Sequence, residues 1–446
     1  MRRPLALLFT ALTGLGLHAT AHATEARIDS MGGGVKLWTV EDESNIFDFP
    51  SLLVHYGNRV YVDHITPGAG GTDLPNMRFG FHYNLSDDTV LAIVGAHMNA
   101  STRPAGTGFN PTGNVFTGSH SLGVGFQASQ ARDAAGGTST PMAVSGDPIG
   151  NADFRYGLMF ATNLGAKTRM GLTFSVLADN GDHDSPNDQQ TDQGSMMFDI
   201  GVGFGFDLDG SELEISAGVE FGLADDFRDE TSVQTGALGD LLEHNSTSHF
   251  GLRVTGRWTF DFFAQTKIVA YTQFLLASQS VEVVNAVTPV PSGSYSGIGF
   301  TIGADLRIEP FQDVIVSPGL GILVSQQTIE GVTLTDRDAD LVLGLPFYGI
   351  GVDLKLLSWL DMRFGTQQFV QIGRHSSTEN GVTDTSRSSD VLTTFAWGLG
   401  LNIPVSDSTL AIDFNLNPQF FLNGPHLITG NATTPFGLTA AVRYNW

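Results

Sequence analysis

The 446-residue chain contains no cysteine, which excludes disulfide bridges, thiolate metal sites and thiol nucleophiles. Basic residues are also scarce: Lys and Arg number 22 against 46 Asp and Glu, a formal charge of −24. That balance excludes a nucleic-acid partner, because binding phosphates takes clustered Lys and Arg. Charged residues of both signs make up only 15% of the chain, against about 25% in ordinary soluble proteins. Beyond residue 24 no apolar run approaches the roughly 20 residues of a membrane-spanning helix. A chain of this kind can cross a bilayer only as a closed barrel, in which strands satisfy one another's backbone groups.

Glycine and phenylalanine are abundant instead. There are 54 glycines and 31 phenylalanines, and glycine's usual share is only about 7%. At the start of the chain, Met1, Arg2 and Arg3 precede an apolar stretch over 4–17, and Ala21-His22-Ala23 supplies a small-x-small cleavage pattern. This is the arrangement of a secretory signal peptide over 1–23. Cleavage before Thr24 removes two arginines and no acidic residue, taking the formal charge to −26. No cysteine follows, so a lipoprotein anchor is not expected.

Alternation is the dominant pattern. Ile200, Val202, Phe204, Phe206 and Leu208 occupy one face of a period-2 segment, with Asp199, Gly201, Gly203, Gly205 and Asp207 on the other. After Asp209-Gly210 the pattern resumes, with Leu213, Ile215, Ala217, Val219 and Phe221 against Glu212, Glu214, Ser216, Gly218 and Glu220. Two strands joined by a tight Asp-Gly turn account for both segments. Extended along the chain, this reading predicts strands at 57–64, 77–85, 88–98, 152–162, 167–179, 193–207, 212–224 and 246–260. It continues with 262–277, 293–308, 311–327, 339–355, 359–373, 388–403, 408–416 and 433–446. The first is the least regular, so the count is fourteen to sixteen.

The connections alternate between short turns and long polar loops, of which 99–151 and 225–245 are the most prominent. Bacterial outer-membrane barrels have this layout, with short periplasmic turns and longer extracellular loops. The expected fold is therefore all-β: a transmembrane antiparallel up-and-down barrel over 57–446, preceded at 24–56 by a periplasmic lead-in or a short plug. A secreted sandwich would turn its apolar face inward and use shorter strands. Trp258, Phe260, Phe262, Phe263, Phe311, Trp359, Tyr444 and Trp446 gather near strand ends, as in an interfacial girdle.

The two ends of the chain carry a resemblance. The last strand presents Phe436, Leu438, Ala440, Val442, Tyr444 and Trp446 on one face and ends on an aromatic residue. It resembles the C-terminal insertion signal of Gram-negative outer-membrane proteins, in which Phe436, Tyr444 and Trp446 would be read by the barrel-assembly machinery. Near the other end, Ser30-Met31-Gly32-Gly33-Gly34, the acidic Glu41-Asp42-Glu43 and Phe49-Pro50-Ser51 resemble the opening of the long-chain fatty acid transporter (FadL/toluene-porin) superfamily. That resemblance covers about thirty residues and departs from the family's Gly-Met-Gly-Gly and Asn-Pro-Ala patterns. It implies a hatch inside the barrel and uptake of hydrophobic molecules.

Projecting the alternation inward gives lumen-lining candidates: Arg155, Arg169, Glu212, Glu214, Glu220, Arg253, Arg257, Asp305, Arg307, Asp361, Arg363, Asp413 and Arg443. Lys167, Lys267 and Asp313 fall in the same projection. Glu214 and Arg257 flank neighbouring turns, so they should lie close together. Cross-strand pairs of opposite charge hold a wall together, and in an aqueous channel they also shape selectivity. Pro318 and Pro346 sit within apolar runs although neither can donate to a strand ladder. A β-bulge explains why the alternation flips between Leu345 and Tyr348. The sharper alternative is a weakened seam for lateral exit of apolar cargo. The acidic stretch 179–192 lacks the ordered spacing of a calcium loop and reads as a solvated loop.

Enzyme signatures are poor. Histidines are scattered singly, with no His-Glu-x-x-His and no Gly-x-Ser-x-Gly, so neither catalysis nor a cofactor or metal site is expected. The sequence thus points to an outer-membrane channel for small solutes, hydrophobic ones among them. Its expected partners are membrane lipid, lipopolysaccharide, the assembly machinery and the solute itself. The alternatives are a non-transport barrel acting through its long loops and, more remotely, an outer-membrane hydrolase. Cargo, pore size and oligomeric state are not encoded in any motif.

Overall fold

A computed structural model describes residues 31, 39, 43–66, 76–97, 154–185, 189–231, 240–285, 293–330, 337–379, 382–416 and 437–446. The expected signal peptide over 1–23, the expected loop 99–151 and Phe436 lie outside the described residues. Two 3-10 turns, Glu43–Phe47 and Pro50–His55, come first. The strands follow: β1 (Arg59–Thr66), β2 (Asn76–Ser86), β3 (Thr89–His97), β4 (Phe154–Gly165), β5 (Thr168–Ser185), β6 (Gln189–Leu208), β7 (Ser211–Thr231) and β8 (Asp240–Phe263). The second half contains β9 (Thr266–Asn285), β10 (Gly293–Phe311), β11 (Val314–Glu330), β12 (Arg337–Leu357), β13 (Leu360–Glu379), β14 (Val382–Val405), β15 (Ser408–Leu416) and β16 (Gly437–Asn445).

Each strand pairs antiparallel with its sequence neighbours, and β1 pairs with β16 to close a sixteen-strand ring. Closure leaves no edge strand unpaired. The expected period-2 division holds. Asp199, Gly201, Gly203 and Gly205 are buried, whereas Ile200 and Phe204 are exposed. Excess glycine therefore lies on the inner wall, and phenylalanine such as Phe174, Phe221 and Phe250 on the outer. Trp258, Phe262, Phe263, Phe311, Trp359 and Trp446 are exposed at the short-turn end, in the positions of an aromatic girdle. In the Asp209-Gly210 turn Gly210 takes φ +79°, a left-handed conformation that glycine adopts without steric cost.

Two sequence expectations need correction. The stretch 225–245 is strand over 225–231 and 240–245, because β7 runs to Thr231 and β8 starts at Asp240. Likewise most of 179–192 is hairpin: β5 ends at Ser185, β6 begins at Gln189, and Asp182 stands opposite Asp192 in the ladder. At about 3.3 Å per residue and a tilt near 40°, the 24 residues of β8 rise about 60 Å, far above an apolar band about 25 Å tall. Beyond the bilayer both faces of a strand meet water, so the apolar alternation that signals a strand disappears while the ladder continues.

The bulge expected near Pro346 is present. Between β11 and β12 the register jumps from Gly321–Phe347 to Leu323–Gly344, and between β12 and β13 it shifts over the same interval. Leu345 and Pro346 together stand opposite the single residue Ile322 on β11 and Val370 on β13, one residue more than a regular ladder holds. Pro318 behaves differently and keeps its place opposite Ile350. The two prolines are thus not equivalent interruptions of the wall.

Candidate functional site

The lumen contains a piece of the chain itself. Residues Asn45–Leu53 are buried although they precede the first strand. Pro50 starts the second 3-10 turn, where its fixed φ suits a helical start and its missing N–H costs nothing. Ile46, Phe47, Phe49, Leu52, Leu53 and Tyr56 form one apolar cluster with inward residues of the wall. Those wall residues are Val90, Ala92 and Val94 on β3, Met159 and Ala161 on β4, Val269 and Tyr271 on β9, Leu323 on β11 and Phe347 on β12.

The sequence reading expected a lumen of small and charged residues and missed this apolar patch. Its signal was visible all the same: Val90-Leu91-Ala92-Ile93-Val94 is apolar on both faces, the mark of a strand covered on both sides.

Glycine seats hold the segment against the wall. Gly171 on β5 leaves no room for a Cβ beside the Pro50 carbonyl, and a Cβ on Gly203 of β6 would lie 2.8 Å from Pro50 Cδ. Half the ring away, Gly365 on β13 lies directly against the backbone carbonyl of Met31. The N-terminal segment therefore touches opposite walls of the barrel.

Polar contacts add to this seating. Arg253 donates from Nη2 to the Phe47 carbonyl at 3.2 Å. The Arg257 guanidinium lies 5.2 Å from the centre of the Phe49 ring, within cation–π range. Nη1 of Arg169 donates to Nε2 of His55 at 3.0 Å, Arg59 donates to the His55 carbonyl at 3.3 Å, and the His82 ring meets the Tyr56 carbonyl at 2.8 Å.

Two charge networks line the wall near the short turns. In the first, Glu214 and Arg257 are register partners, and Arg257 Nε donates to Glu214 Oε2 at 2.5 Å. Arg169 joins them, bonded to Glu212, 3.2 Å from Asp207 and 4.0 Å from Glu214. In the second, Arg363 reaches Asp413 at 2.5 Å, Asp361 at 3.3 Å and Asp353 at 3.5 Å. Asn402 donates to Asp361 at 2.7 Å. Sequence projection did not single out Asp353 or Asn402; both come from neighbouring strands whose register had to be known.

The remaining candidates are more dispersed. Glu220, Asp305 and Arg443 are buried on β7, β10 and β16. Arg307 pairs with Glu309 at 2.8 Å rather than with Asp313, which sits exposed in the next turn. Lys167 lies in a turn and pairs with Asp209 at 2.5 Å, and Lys267 is exposed near the same rim. Arg155 stands opposite Ala96 and Leu177 in the ladder; its side chain lies outside the description. Pro318 and Pro346 lie on adjacent strands, with Pro346 exposed. Tyr444 and Trp446 stack at 6.2 Å and Trp446 meets Phe81 at 5.7 Å, across the closure of the ring. Among the described residues no group of His, Asp and Glu is arranged to hold a metal.

A closed ring with an apolar outer face and a charged, glycine-rich inner face is a transmembrane β-barrel of the bacterial outer-membrane type. No family model matches the sequence, and no curated protein matches it. Solved structures similar to it include the toluene transporter TodX of Pseudomonas putida, at 11% identity over 95% of this chain and 97% of that one, TM-score 0.38. The toluene transporter TbuX of Ralstonia pickettii matches at 9% identity over 95% and 97%, TM-score 0.35. The outer-membrane transporter YddB of Escherichia coli matches at 10% over 89% and 68%, TM-score 0.35.

Proposed function

We propose that the protein is an outer-membrane channel passing small solutes, apolar ones among them, and that its N-terminal segment is a plug that closes it at rest. The observation that carries this reading is the seating of Asn45–Tyr56 inside the barrel, apolar side chains against apolar wall. A barrel that served only as a membrane anchor would gain nothing from glycine seats cut to receive its own N-terminus. The patch formed by Tyr271, Leu323 and Phe347 is the kind of surface that an apolar solute wets more favourably than water does. Below it, Arg363 amid three carboxylates leaves a net negative belt, which would disfavour anions.

Planar-bilayer recording with the purified chain and a Gly171→Val, Gly203→Val variant tests the channel. The wild type should conduct little and the variant should show stepwise openings, because the added side chains unseat Pro50. Liposome entry of a neutral aromatic probe, compared with a sugar of similar size, tests the preference for apolar solutes. The height of β7 and β8 above the bilayer favours a second reading, a barrel that binds a surface partner through its tall extracellular wall. Electrical silence of both proteins, with a folded barrel, would support that reading instead.

A further inference from the structure

We infer that the contact between His55 and Arg169 is a pH-sensitive mooring of the N-terminal segment. An arginine side chain can only donate hydrogen bonds. The 3.0 Å contact from Arg169 Nη1 to His55 Nε2 therefore requires an unprotonated ring nitrogen that accepts. Protonation removes the acceptor and places an imidazolium beside a guanidinium, so attraction becomes repulsion.

Charged and titratable groups on six strands surround this contact. On β5, Arg169 is buried and points at the histidine. On β6, Asp207 lies 3.2 Å from Arg169, and on β7 Glu212 is bonded to it while Glu214 stands 4.0 Å away. On β8, Arg257 is committed to Glu214 and to the Phe49 ring. At the start of β1, Arg59 donates to the His55 carbonyl, and on β2 His82 bonds the carbonyl of Tyr56. Arg169 keeps its carboxylate partners whichever state His55 adopts. The wall network therefore survives acidification, and only the link to the plug is lost.

His55 is exposed, at the end of the second 3-10 turn and before the first strand, where protons from the aqueous side reach it. Histidine is the side chain whose ordinary charge change falls between about pH 5 and pH 8. The link is present when the ring is neutral and disappears as pH falls. Loss of a hydrogen bond to a charged donor loosens what it holds by about tenfold in local opening. The segment then keeps the Arg253 and Arg257 contacts but is released at its C-terminal end.

Amide hydrogen exchange on the full chain in detergent micelles tests this, expressed as protection relative to the unstructured rate at each pH. The reporters are the Leu52 and Tyr56 amides, which bond the Phe49 and Leu53 carbonyls at 3.0 and 2.9 Å. Their protection should drop about tenfold between neutral pH and about pH 5, while amides of β13 stay unchanged. His55→Gln, whose amide oxygen accepts at any pH, should hold high protection throughout. His55→Ala should show the low value at both pH values. Equal protection of the wild type at both pH values overturns the inference, and so does an equal loss in His55→Gln. The measurement does not depend on any transported solute, so its failure is separable from failure of the channel reading.

Discussion

Glu214 on β7 and Arg257 on β8 stand opposite each other in the ladder and form an ion pair buried almost completely inside the barrel wall. Arg169 lies near enough to share the glutamate, at 4.0 Å, but is occupied by Asp207 and Glu212. Arg257→Met should therefore leave an uncompensated buried carboxylate and destabilise the barrel by about 3–5 kcal/mol. The double variant Glu214→Leu, Arg257→Met should lose clearly less, because no charge is stranded. Urea unfolding in micelles, followed by tryptophan fluorescence, compares the two. A double variant as unstable as the single one would show that packing of Arg257 on Phe49, rather than charge pairing, dominates.

Thr255 shows the opposite situation. Its hydroxyl is enclosed on β8 opposite Ser216, with no hydrogen-bond partner among the described residues. A buried unmet hydroxyl costs about 1–3 kcal/mol, and a methyl of the same shape does not. Thr255→Val should raise stability by about 1 kcal/mol, read as a higher midpoint in the same urea titration. Unchanged conductance would accompany the gain, since the residue contributes shape rather than charge.

Closure of the ring depends on aromatic contact across the seam. The Trp446 amide donates to the Asn58 carbonyl at 3.1 Å, and its ring meets Phe81 on β2 at 5.7 Å, past β1. Aromatic pairs of this kind contribute about 0.5–1.5 kcal/mol beyond buried area. Trp446→Ala should lower the temperature at which the folded band on a semi-native gel converts to the unfolded one. Trp446→Phe should restore most of the loss. An unchanged transition in Trp446→Ala would show that the seam holds without this contact.

Those elements differ in how far the sequence announced them. All sixteen strands were readable, because a wall with lipid on one side and a lumen on the other imposes strict alternation within the bilayer. Glu214 beside Arg257 was readable too, since each lies a few residues from a short turn at the same end of neighbouring strands. The heights of β7 and β8 were not, because outside the membrane no apolar face marks a strand. Arg363 with Asp353, Asp361 and Asp413 was only half legible: the network spans β12, β13 and β15 and needs the register of three ladders. The seat of Met31 on Gly365 joins residues far apart in the chain. No local pattern encodes it, because a glycine that receives another backbone looks like any other inward glycine.

Pro346 is the residue at which legibility in sequence and a structural role meet. The flip in alternation marked an insertion, and the ladder shows Leu345 and Pro346 sharing the place of one residue. One consequence is that Phe347 turns inward and lies over Gly321, where any Cβ would collide with its ring. The bulge therefore places an aromatic side chain in the lumen, and the missing proline N–H is tolerated because the bulged position has no ladder partner. On this basis Pro346→Ala should keep the bulge and leave entry of an apolar probe into proteoliposomes unchanged, whereas Phe347→Ala should alter it. A large fall in entry with Pro346→Ala alone, in a barrel of unchanged stability, would transfer the role to the seam itself. It would then mark β11–β12 as a lateral exit through the wall.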